Sequence, residues 1–302
     1  MTSTPTATRR PRAAEVARIA ALRAAFGGLD AVAPSLGARW ALRVWCTLPA
    51  NGGRRRDERP GAGERSTVEL PGGRTVAVET WGAGDPVYLV HGWGGWRGQL
   101  GAFVAPLVDA GRRVVGFDAP SHGESGPGAL GRGRGTAVEM AEALAAVARR
   151  HGAPGAVVAH SLGCTTTALA LADGMPTGRL ALVAPSADVV AMTGQLARTL
   201  GYGERTRRRF DVRFEELAGR PLADFDLTRT PAAAPTLVVH DRHDKEVPYA
   251  ESVRIAEAWP AATLMTTEGL GHQRILRDPA VVARVTDFVT GDRPAGGGSA
   301  AQ

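Results

Sequence analysis

Cysteine and lysine are the scarcest chemically distinctive residues in this chain of 302 residues. The two cysteines, Cys46 and Cys164, are too few for a disulfide-stabilised scaffold or for a zinc site made of four cysteines. No apolar run reaches the roughly 18 residues that a membrane-spanning helix requires. Apolar residues nevertheless make up 44% of the chain, so a full hydrophobic core can form without a disulfide or a metal ion.

The formal charge of +6 is concentrated in the first fifth of the chain. Residues 1–65 contain 12 arginines and 5 acidic residues, whereas residues 66–302 contain 24 basic and 25 acidic residues. Lys245 is the single lysine, so the abundance of arginine reflects a general bias of the sequence and says little about function. No zinc-finger spacing, basic zipper or RNA-recognition aromatic motif accompanies the arginines. The sequence therefore predicts a solvated basic arm and no nucleic-acid partner, with binding to an anionic surface as the alternative.

The basic arm contains two apolar patches. The first has four residues at helical spacing: Val16, Ile19, Leu22 and Phe26. The second runs from Trp40 to Leu48 and is flanked by Arg39 and Arg43. We expect a helical arm laid on the main domain, and the alternative is an interfacial helix that docks on a membrane. Residues 51–65 have almost no apolar side chain and predict a linker.

From about residue 67, short apolar runs alternate with helical patterns. Eight runs predict strands: Val68–Leu70, Thr75–Thr80, Pro86–Val90, Arg113–Phe117, Ala156–Ala159, Leu180–Ala184, Thr236–His240 and Thr263–Thr267. Five stretches predict helices: 99–110, 136–150, Leu162–Ala172, Tyr249–Trp259 and Arg274–Val289. This alternation indicates an α/β fold, with a mostly parallel central sheet covered by helices on both faces. Ligands bind at the carboxyl ends of such strands, so the chemistry is expected there.

The pentapeptide Ala159-His160-Ser161-Leu162-Gly163 follows an apolar strand and opens a helix. This context fits a nucleophile elbow, G-x-S-x-G, with alanine in place of the first glycine. A sharp strand-to-helix turn holds Ser161 in a strained conformation, which requires small residues two positions away. The start of the helix offers the backbone N–H of Leu162 to a developing oxyanion.

The glycine-rich segment after an earlier strand, His91-Gly92-Trp93-Gly94-Gly95-Trp96, allows the backbone to approach a substrate closely. The backbone N–H of Trp93 is the natural second oxyanion donor. A phosphate-binding loop is disfavoured because Arg97 occupies the last position of the G-x-G-x-x-G pattern counted from Gly92, and no Gly-Lys-Ser/Thr occurs in the chain.

Two further strand ends supply an acid and a histidine downstream of Ser161. Asp244 lies just after the Thr236–His240 strand, and His272 lies in a glycine-flanked loop after the last strand. The chain order is therefore serine, acid, histidine. Asp188, which follows the Leu180–Ala184 strand, is a rival acid.

A metal site at the same turn is the alternative interpretation. His240, Asp241, His243 and Asp244 are ligand-type residues, but no further cluster of such residues offers distant partners for them. The sequence therefore predicts neither a metal ion nor another cofactor.

Four motifs in this order, each at a strand end, resemble those of α/β-hydrolases over about residues 67–290. The resemblance implies the α/β-hydrolase fold with a small helical cap and an N-terminal helical arm. We expect the arm and linker at 1–65, the hydrolase domain at 66–291 with a short cap insertion at 188–232, and a disordered tail at 292–302. Ala159 and the short cap depart from the family pattern, and they leave the substrate poorly defined.

The resemblance also implies a serine hydrolase in which Ser161 attacks an acyl carbonyl, His272 transfers the proton and Asp244 orients His272. The N–H groups of Trp93 and Leu162 would hold the oxyanion. A small-molecule ester or thioester is the expected substrate, cleaved through an acyl-enzyme. Two alternatives stay open: a triad-bearing ligand receptor with little turnover, and a hydrolase of lipids at a membrane surface.

Two expectations are less specific. Trp96, Met192 and Tyr202 are candidate lining residues of an acyl pocket, although core packing is the more common role of such side chains. Arg9-Arg10 is not followed by the uncharged apolar stretch of an export signal, so a cytoplasmic location is expected.

Overall fold

The computed structural model describes residues 13–49 and 60–291. The predicted disordered tail at 292–302 and residues 51–59 of the predicted linker lie outside the described residues. Glu64 and Arg65, the next-to-last and last residues of that linker prediction, lie in the first strand.

The described residues form two compact units. The α/β unit contains Cys46–Val189 and residues 223–291, and the helical unit contains residues 13–45 and Val190–Leu222. The helical unit is thus built from the predicted arm and the middle of the predicted cap. The predicted domain bounds themselves stay a prediction.

A single eight-stranded sheet forms the centre of the α/β unit. Its strands are β1 Glu64–Leu70, β2 Arg74–Trp81, β3 Pro86–Val90, β4 Arg113–Phe117, β5 Ala156–His160, β6 Arg179–Val183, β7 Thr236–Asp241 and β8 Ala262–Thr267. The spatial order is β1-β2-β4-β3-β5-β6-β7-β8. β2 is antiparallel to β1 and to β4, and every other pair is parallel. The predicted mostly parallel sheet is confirmed.

The helices of the two units are α1 Ala13–Val32, α2 Pro34–Trp45, α3 Val104–Asp109, α4 Ala137–His151, α5 Leu162–Ala172, α6 Val189–Leu200, α7 Glu204–Ala218, α8 Tyr249–Ala258, α9 Gly271–Arg274 and α10 Pro279–Thr290. Short 3₁₀ segments lie at Arg97–Phe103, Leu222–Phe225, Leu227–Arg229 and Ile275–Arg277. Among the helices described, none is both long and apolar enough to cross a membrane.

Both faces of the sheet are buried. On one face, side chains of β3 to β7 share a cluster with α3 and α10, and Leu89, Val158, Leu107 and Val285 are among its members. The alternate residues of the same strands point to the opposite face because successive strand side chains alternate. These residues, for example Val157, are also inaccessible to solvent. The predicted arrangement of helices on both faces is therefore confirmed.

Two predicted helices differ from the observed ones at their starts. The pattern at 99–110 begins as the 3₁₀ segment Arg97–Phe103 and becomes α-helical at Val104. The last long helix begins at Pro279 and not at Arg274. Asp278 is extended, as residues before proline usually are, and its carboxylate accepts hydrogen bonds from the N–H groups of Ala280 and Val281.

The helical unit has an aromatic core of its own. Phe26 is fully buried, and its ring stacks on Trp40 at 4.4 Å between centroids and lies 5.7 Å from Tyr202. The carboxylate of Asp30, near the end of α1, accepts a 2.8 Å hydrogen bond from the Thr206 N–H in the first turn of α7. Arg23 of α1 donates to the Arg198 carbonyl at the end of α6. Segments more than 150 residues apart in the sequence therefore fold together.

Candidate active site

Ser161 lies in the tight turn between β5 and α5. Its φ of 54° and ψ of −124° are strained for a residue with a side chain. A Cβ atom on Gly163 would lie 2.6 Å from the Val90 carbonyl oxygen, and one on Gly92 would lie 2.9 Å from the Ser161 Cβ. The turn therefore requires glycine at both positions, because the end of β3 passes directly beside it.

Two backbone N–H groups near this turn have no acceptor among the described residues: those of Leu162 and Trp93. Leu162 is the first residue of α5, so its N–H lies outside the helical hydrogen-bond ladder and at the positive end of the helix dipole. Trp93 follows β3 directly after His91-Gly92, and its ring meets His122 edge-on at 5.5 Å. The role of these two N–H groups as oxyanion donors stays a prediction.

His91 holds the loop that carries Trp93. Its Nε2 accepts a 3.0 Å hydrogen bond from the Ala119 N–H, so its proton is on Nδ1, which lies 2.8 Å from the Gly92 carbonyl oxygen. Burial lowers the pKa of His91 to about 4, and the ring stays neutral at physiological pH. The neutral ring connects the Gly92 carbonyl to the Ala119 N–H just after β4.

Arg97 anchors the other end of the same loop in a buried ion-pair network. Its backbone N–H donates to Asp118 at 2.7 Å, and its guanidinium binds the carboxylates of Glu79 and Glu124 at 2.9 and 2.7 Å and also that of Asp118. Asp118 lies at the end of β4, so the network ties the loop to the sheet. The sequence analysis did not identify this role, which depends on residues from four separate segments.

Asp244 and His272 meet at the carboxyl ends of β7 and β8. His272 Nδ1 lies 2.7 Å from Asp244 Oδ2, and both side chains are buried. The other carboxylate oxygen, Oδ1, accepts hydrogen bonds from the N–H groups of Glu246 and Val247. Burial alone would raise the pKa of Asp244, but hydrogen bonds from His240 and His272 hold it well below its usual range. Asp244 is therefore a carboxylate that orients the His272 ring and leaves Nε2 as the free nitrogen.

His160, the residue before Ser161, links the elbow to His272. Its Nε2 lies 3.0 Å from the His272 carbonyl oxygen, and the two rings are 4.6 Å apart. Burial lowers the pKa of His160 to about 3, so the ring is neutral and donates its Nε2 proton to that carbonyl. The structure thus brings Ser161, His272 and Asp244 to the same edge of the sheet.

Asp241 is a second buried acid at the end of β7, and the sequence analysis considered it only as a metal ligand. Its Oδ2 accepts hydrogen bonds from the Leu270 N–H at 2.8 Å and the Thr267 hydroxyl at 3.0 Å. Burial opposes its ionisation, but these backbone and hydroxyl donors keep its pKa low. Asp241 therefore fastens the segment before α9 to the sheet, and His272 lies in this short helix and not in the predicted loop.

The rival acid Asp188 has different partners. Its carboxylate forms a 2.9 Å ion pair with Arg254, and its N–H donates to Glu251. The hydrogen bond to His272 Nδ1 belongs to Asp244, so the geometry favours Asp244 over Asp188.

The three candidate pocket residues lie in different surroundings. Tyr202 is buried in the helical unit between the rings of Phe26 and Phe210. That environment is what the core-packing alternative predicts. Met192 lies on α6 and is about one-third exposed, and the half-buried Trp96 ring lies 6.0 Å from the Arg97 guanidinium. Their role in binding a substrate stays a prediction. Within the described ranges, no cluster of three or more His, Cys, Asp or Glu side chains could hold a metal ion.

Comparisons with known proteins agree with the fold. The family model described as alpha/beta hydrolase fold matches residues 85–212, and the model described as TAP-like protein matches residues 220–300. No curated protein sequence matches the chain.

Solved structures from several bacteria share the architecture at low sequence identity. An esterase from Exiguobacterium antarcticum has a TM-score of 0.58 and 17% identity, and the match covers 75% of this chain and 99% of that chain. A thermophilic esterase from Thermogutta terrifontis has a TM-score of 0.54 and 22% identity, with 74% and 96% covered. A meta-cleavage product hydrolase from Pseudomonas fluorescens has a TM-score of 0.54 and 17% identity, also with 74% and 96% covered. The sheet order, the family model at residues 85–212 and these neighbours together show that the chain has the α/β-hydrolase fold.

Proposed function

We propose that this protein is a serine hydrolase that cleaves a small-molecule ester or thioester through an acyl-enzyme. The observation that carries the proposal is the hydrogen bond of 2.7 Å between His272 Nδ1 and Asp244 Oδ2, at the same edge of the sheet as a strained serine that precedes α5. A carboxylate that binds Nδ1 leaves Nε2 as the base, which is the arrangement that activates a serine hydroxyl. Two of the bacterial proteins with a similar structure are esterases, which is consistent with an ester substrate.

In the first half of the proposed reaction, Ser161 Oγ attacks the acyl carbonyl while His272 Nε2 takes its proton. The Asp244 carboxylate stabilises the imidazolium that forms. The carbonyl oxygen becomes an oxyanion and accepts hydrogen bonds from the N–H groups of Trp93 and Leu162. The bond from the carbonyl carbon to the alkoxide or thiolate then breaks, and the imidazolium protonates the leaving group.

In the second half, water replaces the leaving group. His272 Nε2 takes a proton from the water as its oxygen attacks the acyl carbon, and the bond from that carbon to Ser161 Oγ breaks. The proton returns to Ser161 Oγ and the carboxylic acid is released. One backbone oxyanion donor typically contributes on the order of 10²–10³ to the rate.

Hydrolysis of p-nitrophenyl esters from acetate to palmitate tests this proposal, with Ser161→Ala as the control. We expect turnover by the wild type, at most a small residual rate in Ser161→Ala, and covalent labelling of Ser161 by a fluorophosphonate probe. Turnover that survives in Ser161→Ala contradicts the proposal. If the wild type neither turns over any ester nor reacts with the probe, the receptor alternative replaces it.

The surface of the helical unit favours a second candidate function, hydrolysis of lipid esters at an anionic membrane surface. In the described part of the chain, all the large apolar side chains classed as exposed belong to this unit: Val16, Ile19, Val32, Leu36, Trp40, Val190, Met192, Val212 and Leu217. The unit also contains 11 arginines and 6 acidic residues. Exposed apolar side chains among arginines are the composition of a surface that binds anionic lipid.

Two arginines of α7 lie next to the apolar residues at the junction of α1 and α2. Arg205 donates to the Ala31 carbonyl, and Arg209 donates to the Ser35 hydroxyl. Both acceptors are uncharged and lie next to Val32 and Leu36, which are 83% and 55% exposed, although the Asp30 carboxylate offsets part of the Arg205 charge. Such a patch can insert apolar side chains between lipids while the guanidinium groups contact phosphates.

Co-sedimentation with vesicles tests this second candidate. We expect binding to vesicles of phosphatidylcholine mixed with phosphatidylglycerol, weaker binding to phosphatidylcholine alone, and loss of binding in the double variant Val32→Glu, Leu36→Glu. Both positions are exposed, so the variant is expected to keep its stability and its turnover of p-nitrophenyl acetate. Equal binding by the variant and the wild type, or no binding to either vesicle, contradicts the membrane candidate and leaves the esterase proposal unaffected.

A further inference from the structure

Asp244 is bonded to two buried histidines, and the proposed mechanism uses one of them. Asp244 Oδ2 lies 2.7 Å from His272 Nδ1 and 3.2 Å from His240 Nε2. The side chains of His240 and Asp244 are both completely shielded from solvent. His240 is the next-to-last residue of β7 and precedes Asp244 by four residues, so the tight turn after the strand brings the two side chains together.

The partners of His240 determine where its proton is. Nε2 faces a carboxylate whose pKa is held low, so this nitrogen carries the proton and donates it. Nδ1 then has a lone pair, and the Ser252 hydroxyl, 2.6 Å away on α8, donates to it. Ser252 is itself fully buried, so bulk water does not compete for this hydrogen bond. A chain of two hydrogen bonds therefore runs from Ser252 through His240 to Asp244.

We infer that His240, whose ring Ser252 holds in place through Nδ1, is a positioning residue that fixes the Asp244 carboxylate and through it the His272 ring. This inference rests on the proposed function. Asp244 Oδ1 is already fixed by the N–H groups of Glu246 and Val247, whereas Oδ2 would have His272 as its single side-chain partner without His240. A carboxylate oxygen that accepts hydrogen bonds from two histidine rings cannot shift with the movement of one ring alone. The orientation of His272 is therefore preserved through proton transfer.

The His240 contact also sets how strongly Asp244 holds the His272 proton. A carboxylate that loses one donor becomes a stronger hydrogen-bond acceptor and stabilises the imidazolium form of its remaining partner. Removing the His240 donor is therefore expected to shift the acid limb of the pH profile of kcat/KM to higher pH. The other ionisable side chains around this cluster are His160 on β5, Asp241 at the end of β7 and Tyr249 on α8.

Three variants separate positioning from simple core packing. His240→Phe keeps a ring of similar size and removes the donor, whereas His240→Gln keeps an N–H donor at nearly the reach of Nε2. Ser252→Ala removes the hydroxyl that holds His240 Nδ1, so the ring loses one of its two hydrogen-bond partners and can turn away from Asp244. We expect kcat on p-nitrophenyl acetate to fall about tenfold or more in His240→Phe with little change in KM, to recover substantially in His240→Gln, and to fall to an intermediate value in Ser252→Ala.

A spectroscopic readout makes the inference independent of turnover. In protein labelled with ¹⁵N-histidine, we expect the wild type to show His240 protonated at Nε2 and a strongly downfield proton on His272 Nδ1. In His240→Phe the His272 Nδ1 proton is expected to move or to exchange faster, and in His240→Gln it is expected to stay near its wild-type position. If these signals behave as expected but no ester is hydrolysed, the proposed function fails and the positioning role stands.

The inference is overturned if His240→Phe has the kcat, the pH profile and the His272 signal of the wild type. It is also overturned if His240→Gln and His240→Phe are equally impaired, because the ring would then matter only for packing. If His240→Phe does not fold, Ser252→Ala decides the question: an unchanged kcat, pH profile and His272 signal in that variant contradict the role.

Discussion

At the carboxyl edge of the sheet, the hydrogen-bond partners of three buried histidines determine which ring nitrogen carries the proton. His91 donates to the Gly92 carbonyl, His160 donates to the His272 carbonyl, and His240 donates to Asp244. Each of these donations fixes a backbone or a carboxylate near the proposed triad. The histidines are therefore part of the support of the site, although none of the three is proposed to react.

At the residue scale, the choice between the two acids is testable. Asp244→Asn is expected to lower kcat about 10³–10⁴-fold, because an amide nitrogen facing His272 Nδ1 donates where it should accept and favours the wrong tautomer. Asp188→Asn is the matched control, since Asp188 pairs with Arg254, and its kcat is expected to stay within about twofold of the wild type. Steady-state kinetics on one ester measures both. A large loss in Asp188→Asn with little change in Asp244→Asn would reverse the assignment.

The limits of sequence reasoning at this scale are clear from His240 and Asp241. Ser161, Asp244 and His272 lie in local patterns that the sequence displays: a small-residue elbow, an acid before Val247-Pro248 and a histidine among glycines. The roles of His240 and Asp241 depend on Ser252 and Leu270, which come from other elements. A His-x-x-x-Asp spacing after a strand was the available signal, and it was considered only for metal binding.

At the scale of elements, the elbow depends on how closely β3 and β5 approach. The Val90 carbonyl at the end of β3 faces Gly163 in the first turn of α5, and Gly92 faces the Ser161 Cβ. The strained φ of Ser161 is maintained because the two strands beside the turn, β3 and β5, form a buried parallel pair.

Gly163→Ala is expected to destabilise the fold by about 1–3 kcal/mol, because the new Cβ would meet backbone oxygens that cannot move away. Gly155→Ala, at the other end of β5, is the matched control, since its Cβ would make only ordinary contacts at 3.4 Å or more. The control is expected to be neutral or to stabilise by up to about 1 kcal/mol through the unfolded state. Urea unfolding of both variants measures the difference, and equal stabilities would show that the close approach at Gly163 is absent.

Element positions followed from the sequence where a single segment determined them. The central strands β3 to β7 are largely apolar runs bounded by turn residues, and each predicted strand overlaps an observed one. The predicted start of the last helix at Arg274 is wrong because the helical pattern continues through residues 274–278. The Asp278-Pro279 pair sets the observed start of α10. Val16 and Ile19 fit the helical period of α1 yet are exposed, because periodicity does not reveal how far a partner surface extends.

At the scale of the whole molecule, buried neutral histidines make stability depend on pH. Burial lowers the pKa of His91 to about 4 and those of His122 and His160 to about 3, against an ordinary value of about 6.5. Between these values the unfolded chain binds protons that the folded chain does not bind. This contribution to stability is therefore fully present above about pH 6.5 and is lost as pH falls toward about 4 for His91 and about 3 for His122 and His160.

Urea unfolding at a series of pH values tests this dependence. With three such histidines, the free energy of unfolding is expected to fall by up to about 4 kcal/mol per pH unit in the steepest part of the window. His122→Asn keeps a donor near the Pro120 carbonyl and removes one titrating group, so its slope is expected to be about one-third smaller. A stability that is flat from pH 7 to pH 5 would contradict the neutral state of these rings.

The helical unit has a consequence for exchanging segments between related chains. Its aromatic core takes Phe26 and Trp40 from one end of the sequence and Tyr202 and Phe210 from the middle. A chimaera that replaces residues 190–222 alone would place Phe26 against non-native side chains. A truncation that removes residues 13–45 would expose Phe210 to solvent while keeping every strand of the sheet. The two segments therefore form one packing module, and an exchange between chains preserves its aromatic core only when both segments are moved together.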